Sequence, residues 1–298
     1  MQVNYITACN ETMPAYRYRM RIPGQQMDVY GISHYPITAD IHVLSKPYIS
    51  DPLTLMSLMN MAEGLDYVFD LCDDIFRREY VGNYIRHMIS NAKAVTCSTD
   101  GMKDIILEET GVEATVISDP TEFEEQPIKD ISNPSVMWFG SATNFDILKY
   151  VNCPYPVEVV SDISVKDRLK NVSFDWTFTE WSLENMQKAF KRNNVVIVPT
   201  FNDKNVNHNY TTKSPNRVFE AIRNGLSVVA APIPEYQKFG DFITLDWNME
   251  NGLKNIRQIT PEAQKYVRDN HSPEVIGNQW KQLFRSLLES TSVVAAAS

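Results

Sequence analysis

Residues 211–235 read TTKSPNRVFEAIRNGLSVVAAPIPE, and this stretch decides the fold. Pro215 stands where a helix can begin, and Gly225 supplies a helix stop. The spacing predicts a helix over 215–224, and the SVVAA that follows reads as a buried strand. Lys213 and Arg217 are four residues apart and Arg217 and Glu220 three, so they crowd one side of the first two turns. A helix N-terminus with two cations is an anion site suited to a diphosphate. A carboxylate one turn further in can accept both hydroxyls of a ribose. The competing reading is an ordinary surface ion pair between Arg217 and Glu220.

Short apolar strands alternate with helical segments on both sides of this stretch, the pattern of a parallel sheet covered on two faces. Upstream, strands are expected at 3–8, 40–44, 67–71, 94–97 and 115–117, with helices at 53–61 and 80–91. Thr99 can cap a helix running to Thr110, with Gly111 as its stop. Residues 119–134 are acidic, hold three prolines and lack a period, and so read as a linker. The alternation then restarts, with strands at 136–139, 157–160, 172–175, 195–199, 227–230 and 242–245 and a helix at 183–192. A polar loop at 200–212 precedes the Lys213 stretch, where a binding loop belongs. Thr260-Pro261-Glu262 and Ser272-Pro273-Glu274 each mark a helix start.

The reading is therefore α/β, two doubly wound Rossmann-like domains whose strand carboxyl ends face a cleft. Residues 1–125 are read as the first domain and 126–270 as the second. Residues 271–298 form a helix expected to dock back toward the first. At 298 residues with 43% hydrophobic content, the chain has enough material for both cores.

The segment from Lys213 to Gly225 resembles the donor-binding signature of GT-B glycosyltransferases, particularly the large retaining class related to glycogen and sucrose synthases. The resemblance implies that Glu220 binds the ribose, that Lys213 and Arg217 neutralise the diphosphate of a nucleotide-sugar co-substrate, and that Asn216 stands beside them. That class often carries a second glutamate eight positions earlier, where this chain has Thr212, so that role is not carried over. Trp138-Phe139-Gly140-Ser141-Ala142-Thr143-Asn144 follows the first strand of the second domain and resembles the family's glycine loop. Gly140 admits a ligand close to the backbone, and Ser141 and Asn144 open a helix expected near Asn144. Neither a G-x-G-x-x-G nor a G-x-x-x-x-G-K-[ST] motif occurs, which disfavours a dinucleotide oxidoreductase and a P-loop enzyme.

On the acceptor side, Arg17, Arg19 and Arg21 follow the first strand, where an anionic acceptor or the donor phosphates would meet them; the alternative is a solvated basic face. Asp70-Leu71-Cys72-Asp73-Asp74 closes another strand, and Asp73 and Asp74 are candidates for a general base or for sugar-hydroxyl ligands, the alternative being a helix cap. His34 is a candidate donor-sugar contact. No metal is expected, because Lys213 and Arg217 supply the charge that a cation would.

The net charge of −9 counts against general nucleic-acid binding, though Arg77, Arg78, Arg86 and His87 form a second basic group. The start MQVNYITACNE reads as a core strand, not a signal peptide, and no stretch is apolar enough for a membrane span, so a cytoplasmic location is expected. Four scattered cysteines disfavour zinc or a disulfide framework. The expected reaction is glycosyl transfer from a nucleoside diphosphate sugar to a hydroxyl, with retention implied by the resemblance. Three alternatives stand beside it: a bacteriophage enzyme glycosylating hydroxymethylated pyrimidines in DNA, a nucleotide-sugar 2-epimerase, and a non-catalytic nucleotide-sugar binder. The sequence does not set the acceptor or the oligomeric state.

Overall fold

Strands β1 (Gln2–Ile6), β2 (Val29–Ser33), β3 (Ile41–Ser45), β4 (Tyr67–Leu71), β5 (Ala94–Cys97) and β6 (Thr115–Val116) form one parallel sheet in the order β2-β1-β3-β4-β5-β6. They belong to a computed structural model that describes residues 1–46, 56–57, 60–201 and 210–297. The helix expected at 53–61 and the loop expected at 200–212 lie largely outside the described residues.

Side chains alternate across this sheet as a pleat demands. Tyr67, Phe69 and Leu71 of β4 enter one core with Ile85, Met88 and Ile89 of the helix α1 (Glu79–Asn91). Val68 points to the other face, into a core with Val3, Tyr5 and Val43. The long helix α2 (Pro273–Ala297) adds Ile276, Trp280 and Phe284 to that second core. It comes very close to the chain just after the turn Ile22–Gly24, since a Cβ on Gly277 would stand 2.5 Å from the Gln26 side chain. The edge strand β2 has no counterpart in the sequence reading. Its residues VYGIS are exposed or half-buried, so they lack the apolar run by which the other strands are recognised.

A second parallel sheet holds β7 (Val136–Phe139), β8 (Val157–Ser161), β9 (Trp176–Glu180), β10 (Val195–Val198), β11 (Ser227–Ala230) and β12 (Thr244–Leu245), in the order β12-β11-β10-β7-β8-β9. Val136 and Trp138 face one core and Met137 the other. The strand expected at 172–175 is displaced to Trp176–Glu180, because Val172 and Phe174 serve as core residues ahead of an edge strand whose own side chains are partly exposed. Helix α3 (Leu183–Arg192) matches its expected limits, with Ser182 accepting from the Asn185 N–H at 3.0 Å. Thr99 and Gly111 bound Asp100–Thr110 as read, with Thr99 accepting from the Met102 N–H and Gly111 at φ 70°.

The chain divides into two compact units. Unit 1 holds Met1–Glu122, Thr212–Ser214 and Asn270–Ser298, and unit 2 holds Phe123–Thr211 and Pro215–Asp269. The stretch read as a linker is tied into structure. Asp119 and Thr121 are buried, and the Gln126 and Lys129 N–H groups donate to the carbonyls of Arg223 and Gly225 at 3.0 Å each. Gly225 has φ +77°, and a Cβ there would stand 2.0 Å from the Pro127 carbonyl oxygen, so only glycine fits.

Candidate functional site

The strand order of unit 2 reverses direction between β7 and β10, and in open parallel sheets ligands bind at the strand carboxyl ends beside such a reversal. Gly140 follows β7, and the chain leaving β10 leads to the helix α4 (Asn216–Arg223). The N-terminus of α4 has no side-chain cap, and the Val218 and Phe219 N–H groups turn back to the Pro215 carbonyl at 2.8 and 3.1 Å. Asn216, the first residue of α4, is half-buried. Arg217 is 8% exposed and Glu220 1%, so the surface ion pair considered above is excluded.

The guanidinium of Arg217 reaches the loop after β7. Its Nη1 donates to the Phe139 carbonyl at 3.5 Å, and a Cβ placed on Gly140 would lie 3.6 Å from Nη1 and 2.9 Å from the Trp138 ring. Glycine at 140 thus lets the Trp138 ring lie against the backbone beside a buried cation. The loop beyond it is pinned by its own contacts. The Ser161 hydroxyl donates to the Gly140 carbonyl at 2.6 Å, Asn144 Nδ2 donates to the Ser141 hydroxyl at 3.1 Å, and the Ala142 N–H donates to Asp162 at 2.7 Å. The helix expected near Asn144 is a 3-10 helix over Ala142–Tyr150, and Asp162 already occupies its Ala142 N–H. That end of the loop is therefore less open to a phosphate than the sequence suggested.

Tyr236 was not singled out in the sequence, yet it lies fully buried in the short helical turn Pro234–Gln237 after β11. Burial pushes its phenol pKa up, and the neighbouring Arg217 guanidinium draws it part of the way back. A tyrosine inside a PIPEYQ turn carries no spacing signal. Only the packing of that turn against α4 brings it to Arg217.

Lys213 is half-buried in the Thr212–Ser214 stretch that packs with unit 1. That stretch is held there by two hydrogen bonds, from the Thr99 hydroxyl to the Thr212 carbonyl at 3.3 Å and from the Ser214 hydroxyl to Asp119 Oδ2 at 2.6 Å. The residues of unit 2 brought together are therefore Gly140, Arg217 and Tyr236, with Glu220 three residues after Arg217 on α4.

In unit 1 the arginines form neither the expected acceptor site nor the alternative solvated basic face. Arg19 is 1% exposed and donates to Asp70 through Nε at 3.1 Å and Nη2 at 2.6 Å, to the Ile117 carbonyl at 2.5 Å, and to Asp119 at 3.3 Å. Its guanidinium carbon stands 5.5 Å from the Trp280 ring centre. Arg17, also buried, and Arg21 both bind Glu122, at 2.9 and 2.5 Å. The acceptor role expected of Arg17 and Arg19 is thereby corrected. Three carboxylates hold these three cations, and two of the three are withdrawn from solvent. Their segment is a π-helix, Tyr16–Arg21, whose wider turn distributes the arginines among these partners.

Neither Asp73 nor Asp74 caps a helix, since α1 begins only at Glu79. Asp74 accepts from the Phe76 N–H at 3.3 Å, closing its own turn. Asp73 pairs with Lys46 Nζ at 2.6 Å. Lys46 is the one non-glycine residue with positive φ among the described residues, at 49°. Burial works against its charge, but Cys72 and the Asp73 carboxylate beside it together more than compensate and raise its pKa. His34 is exposed just past β2, and its Nδ1 donates to the Thr7 carbonyl at 2.7 Å, which fixes the proton on that nitrogen. No group of three or more metal-binding side chains is arranged around a common point among the described residues.

No family model matches the chain, and no curated protein matches it in sequence. Solved structures do. An α-glucosyltransferase in complex with UDP and a 13-mer DNA containing an HMU base matches with a TM-score of 0.62 at 10% identity, over 97% of this chain and 99% of that one. The fold is GT-B. AviGT4, a glycosyltransferase involved in avilamycin A biosynthesis, matches with a TM-score of 0.63 at 9% identity, over 97% and 98% of the two chains. TarM matches with a TM-score of 0.58 at 16% identity, over 82% of this chain and 54% of that one, so the chain spans about half of TarM's length. No described helix is long and apolar enough to cross a membrane.

Proposed function

We propose that this protein is a glycosyltransferase that holds a nucleoside diphosphate sugar in unit 2 and passes the sugar to a hydroxyl group. The observation that carries the reading is Arg217 beside Gly140, a buried cation next to a backbone without a side chain, at the carboxyl ends of β7 and β10. The bond to be broken joins the anomeric carbon to the diphosphate oxygen, and the new bond joins that carbon to the acceptor oxygen. Negative charge grows on the diphosphate as it departs. A fixed cation in a dry site stabilises that charge more than water would. Glu220, one turn further along α4, is suited to accept the two ribose hydroxyls and so to orient the nucleotide. Retention at the anomeric carbon rests on the resemblance of the 213–225 segment. Metal independence rests on the protein's own cations; Asp70, Asp73 and Asp74 are each already engaged by Arg19, Lys46 and the Phe76 N–H. A cytoplasmic location belongs to the same reading.

A DNA acceptor is a second reading, favoured by the likeness to the α-glucosyltransferase in complex with DNA. The pairing of Arg17, Arg19 and Arg21 with carboxylates weighs against their serving as phosphate ligands.

The deciding experiment is a thermal-shift panel of nucleoside diphosphates and their sugars, with and without EDTA, followed by assay of sugar release. A ligand at about 100 times its Kd stabilises by about 2.7 kcal/mol. Stabilisation by one nucleotide series, with turnover that survives EDTA, is the expected result. Binding without any sugar release would leave a binder in place of an enzyme, and conversion of the donor to its 2-epimer would make it an epimerase.

A further inference from the structure

Among the buried side-chain atoms of unit 2 that complete no hydrogen bond of good geometry with another described residue, two stand side by side: Nη2 of Arg217 and the hydroxyl of Tyr236. Arg217 is 8% exposed and Tyr236 0%, so water does not readily supply what the protein withholds. A guanidinium can only donate. The phenol can accept from it, but its own proton then still needs an acceptor. Even with one Nη2 proton given to the phenol, the second Nη2 proton and the phenol's own proton remain, and an anion with more than one oxygen can take both. Tyr236 is fixed for such a role. Its ring packs in one core with Val218, Phe219 and Ile222 of α4, so the hydroxyl cannot move independently of the helix that carries Arg217.

We propose that Tyr236 is a phosphate ligand of the donor site, its hydroxyl donating to an oxygen of the same diphosphate that Arg217 neutralises. This rests on the donor reading above and adds a neutral donor to it. A neutral hydroxyl beside a cation serves a diphosphate well, because it contributes a directional hydrogen bond and no further charge to be desolvated.

The test compares parent and Tyr236→Phe, which keeps the ring and removes only the hydroxyl, by titration with inorganic pyrophosphate, UDP and uridine. Loss of one hydrogen bond to a charged group lowers affinity about tenfold or more. The expected result is that loss for pyrophosphate and UDP, with uridine binding and thermal stability kept within about twofold and about 2 °C of the parent. Equal affinities in the two proteins, or equal loss for uridine and UDP, would overturn the assignment, the second by showing a role in packing. A parent that binds neither pyrophosphate nor UDP would reject the donor site itself and this ligand with it. Should the phenylalanine variant fail to fold, 3-fluorotyrosine installed at position 236 retains the shape and strengthens the donor. It is expected to tighten pyrophosphate binding, and unchanged or weaker binding would overturn the proposal.

Discussion

Arg19 and Asp70 form a two-pronged ion pair inside unit 1, with Nη2 to Oδ1 at 2.6 Å and Nε to Oδ2 at 3.1 Å. Both side chains are withdrawn from water, at 1% and 0% exposure. The carboxylate accepts further bonds from the Ser45 and Thr96 hydroxyls at 2.9 and 2.8 Å, so β3, β4 and β5 are joined at their carboxyl ends through one residue. An arginine that could have met a substrate is the hub of the sheet instead.

Removing one partner strands the other charge in a dry interior. Arg19→Ala and Asp70→Ala are each expected to destabilise by about 3–5 kcal/mol. Urea unfolding followed by tryptophan fluorescence reads this directly, because Trp280 stacks on Arg19. A loss under about 1 kcal/mol would show that the pair is hydrated and dispensable.

Glu220→Ala is expected to weaken nucleotide binding while the fold stays intact. Each charge-assisted ribose hydrogen bond contributes about 1.5–3 kcal/mol, so loss of both is a decrease of more than a hundredfold. Calorimetric titration with UDP and its 2′-deoxy analogue separates the cases. A folded Glu220→Ala protein that still prefers the ribose form would remove Glu220 from the site.

If DNA is the acceptor, its KM rises with salt, with a slope near 0.9 per phosphate contact. Because Arg17 and Arg21 bind Glu122, the double variant Arg17→Ala/Arg21→Ala is expected to leave that slope unchanged and to lower the Tm. A slope that fell by about 1 for each arginine removed would mean that they leave Glu122 to hold phosphates.

His42 is buried on β3 at 8% exposure, and burial holds its pKa below the ordinary value. The unfolded chain therefore takes up a proton as pH falls through about 6.5, while the folded protein resists it. His42 thus contributes stability that is present above that pH and lost below it. Urea midpoints at pH 7.5 and 5.5 should diverge more in the parent than in His42→Gln. Identical shifts in the two would show that His42 does not set the acid limb.

The segment 211–235 determined much by itself. Pro215 and Gly225 bound a helix, SVVA forms β11, and alternation on either side specified two parallel sheets, since buried strands and capped helices leave local marks. β2 was illegible because an exposed edge strand has no reason to be apolar.

Which polar residues are held by other parts of the chain was decided by the tertiary structure alone. Arg217 and Arg19 are equally plain cations in the sequence. One is buried beside Gly140 with a nitrogen that completes no hydrogen bond of good geometry among the described residues, whereas the other is buried among Asp70, Asp119 and the Ile117 carbonyl. Asp119 stands 100 residues from Arg19 in the chain and Asp70 stands 51 residues away, distances at which no local period carries information. Charge along a sequence states what can bind. Whether the partner is a ligand or another part of the chain depends on what folding brings within about 3 Å of it, because a buried charge requires a partner from one or the other.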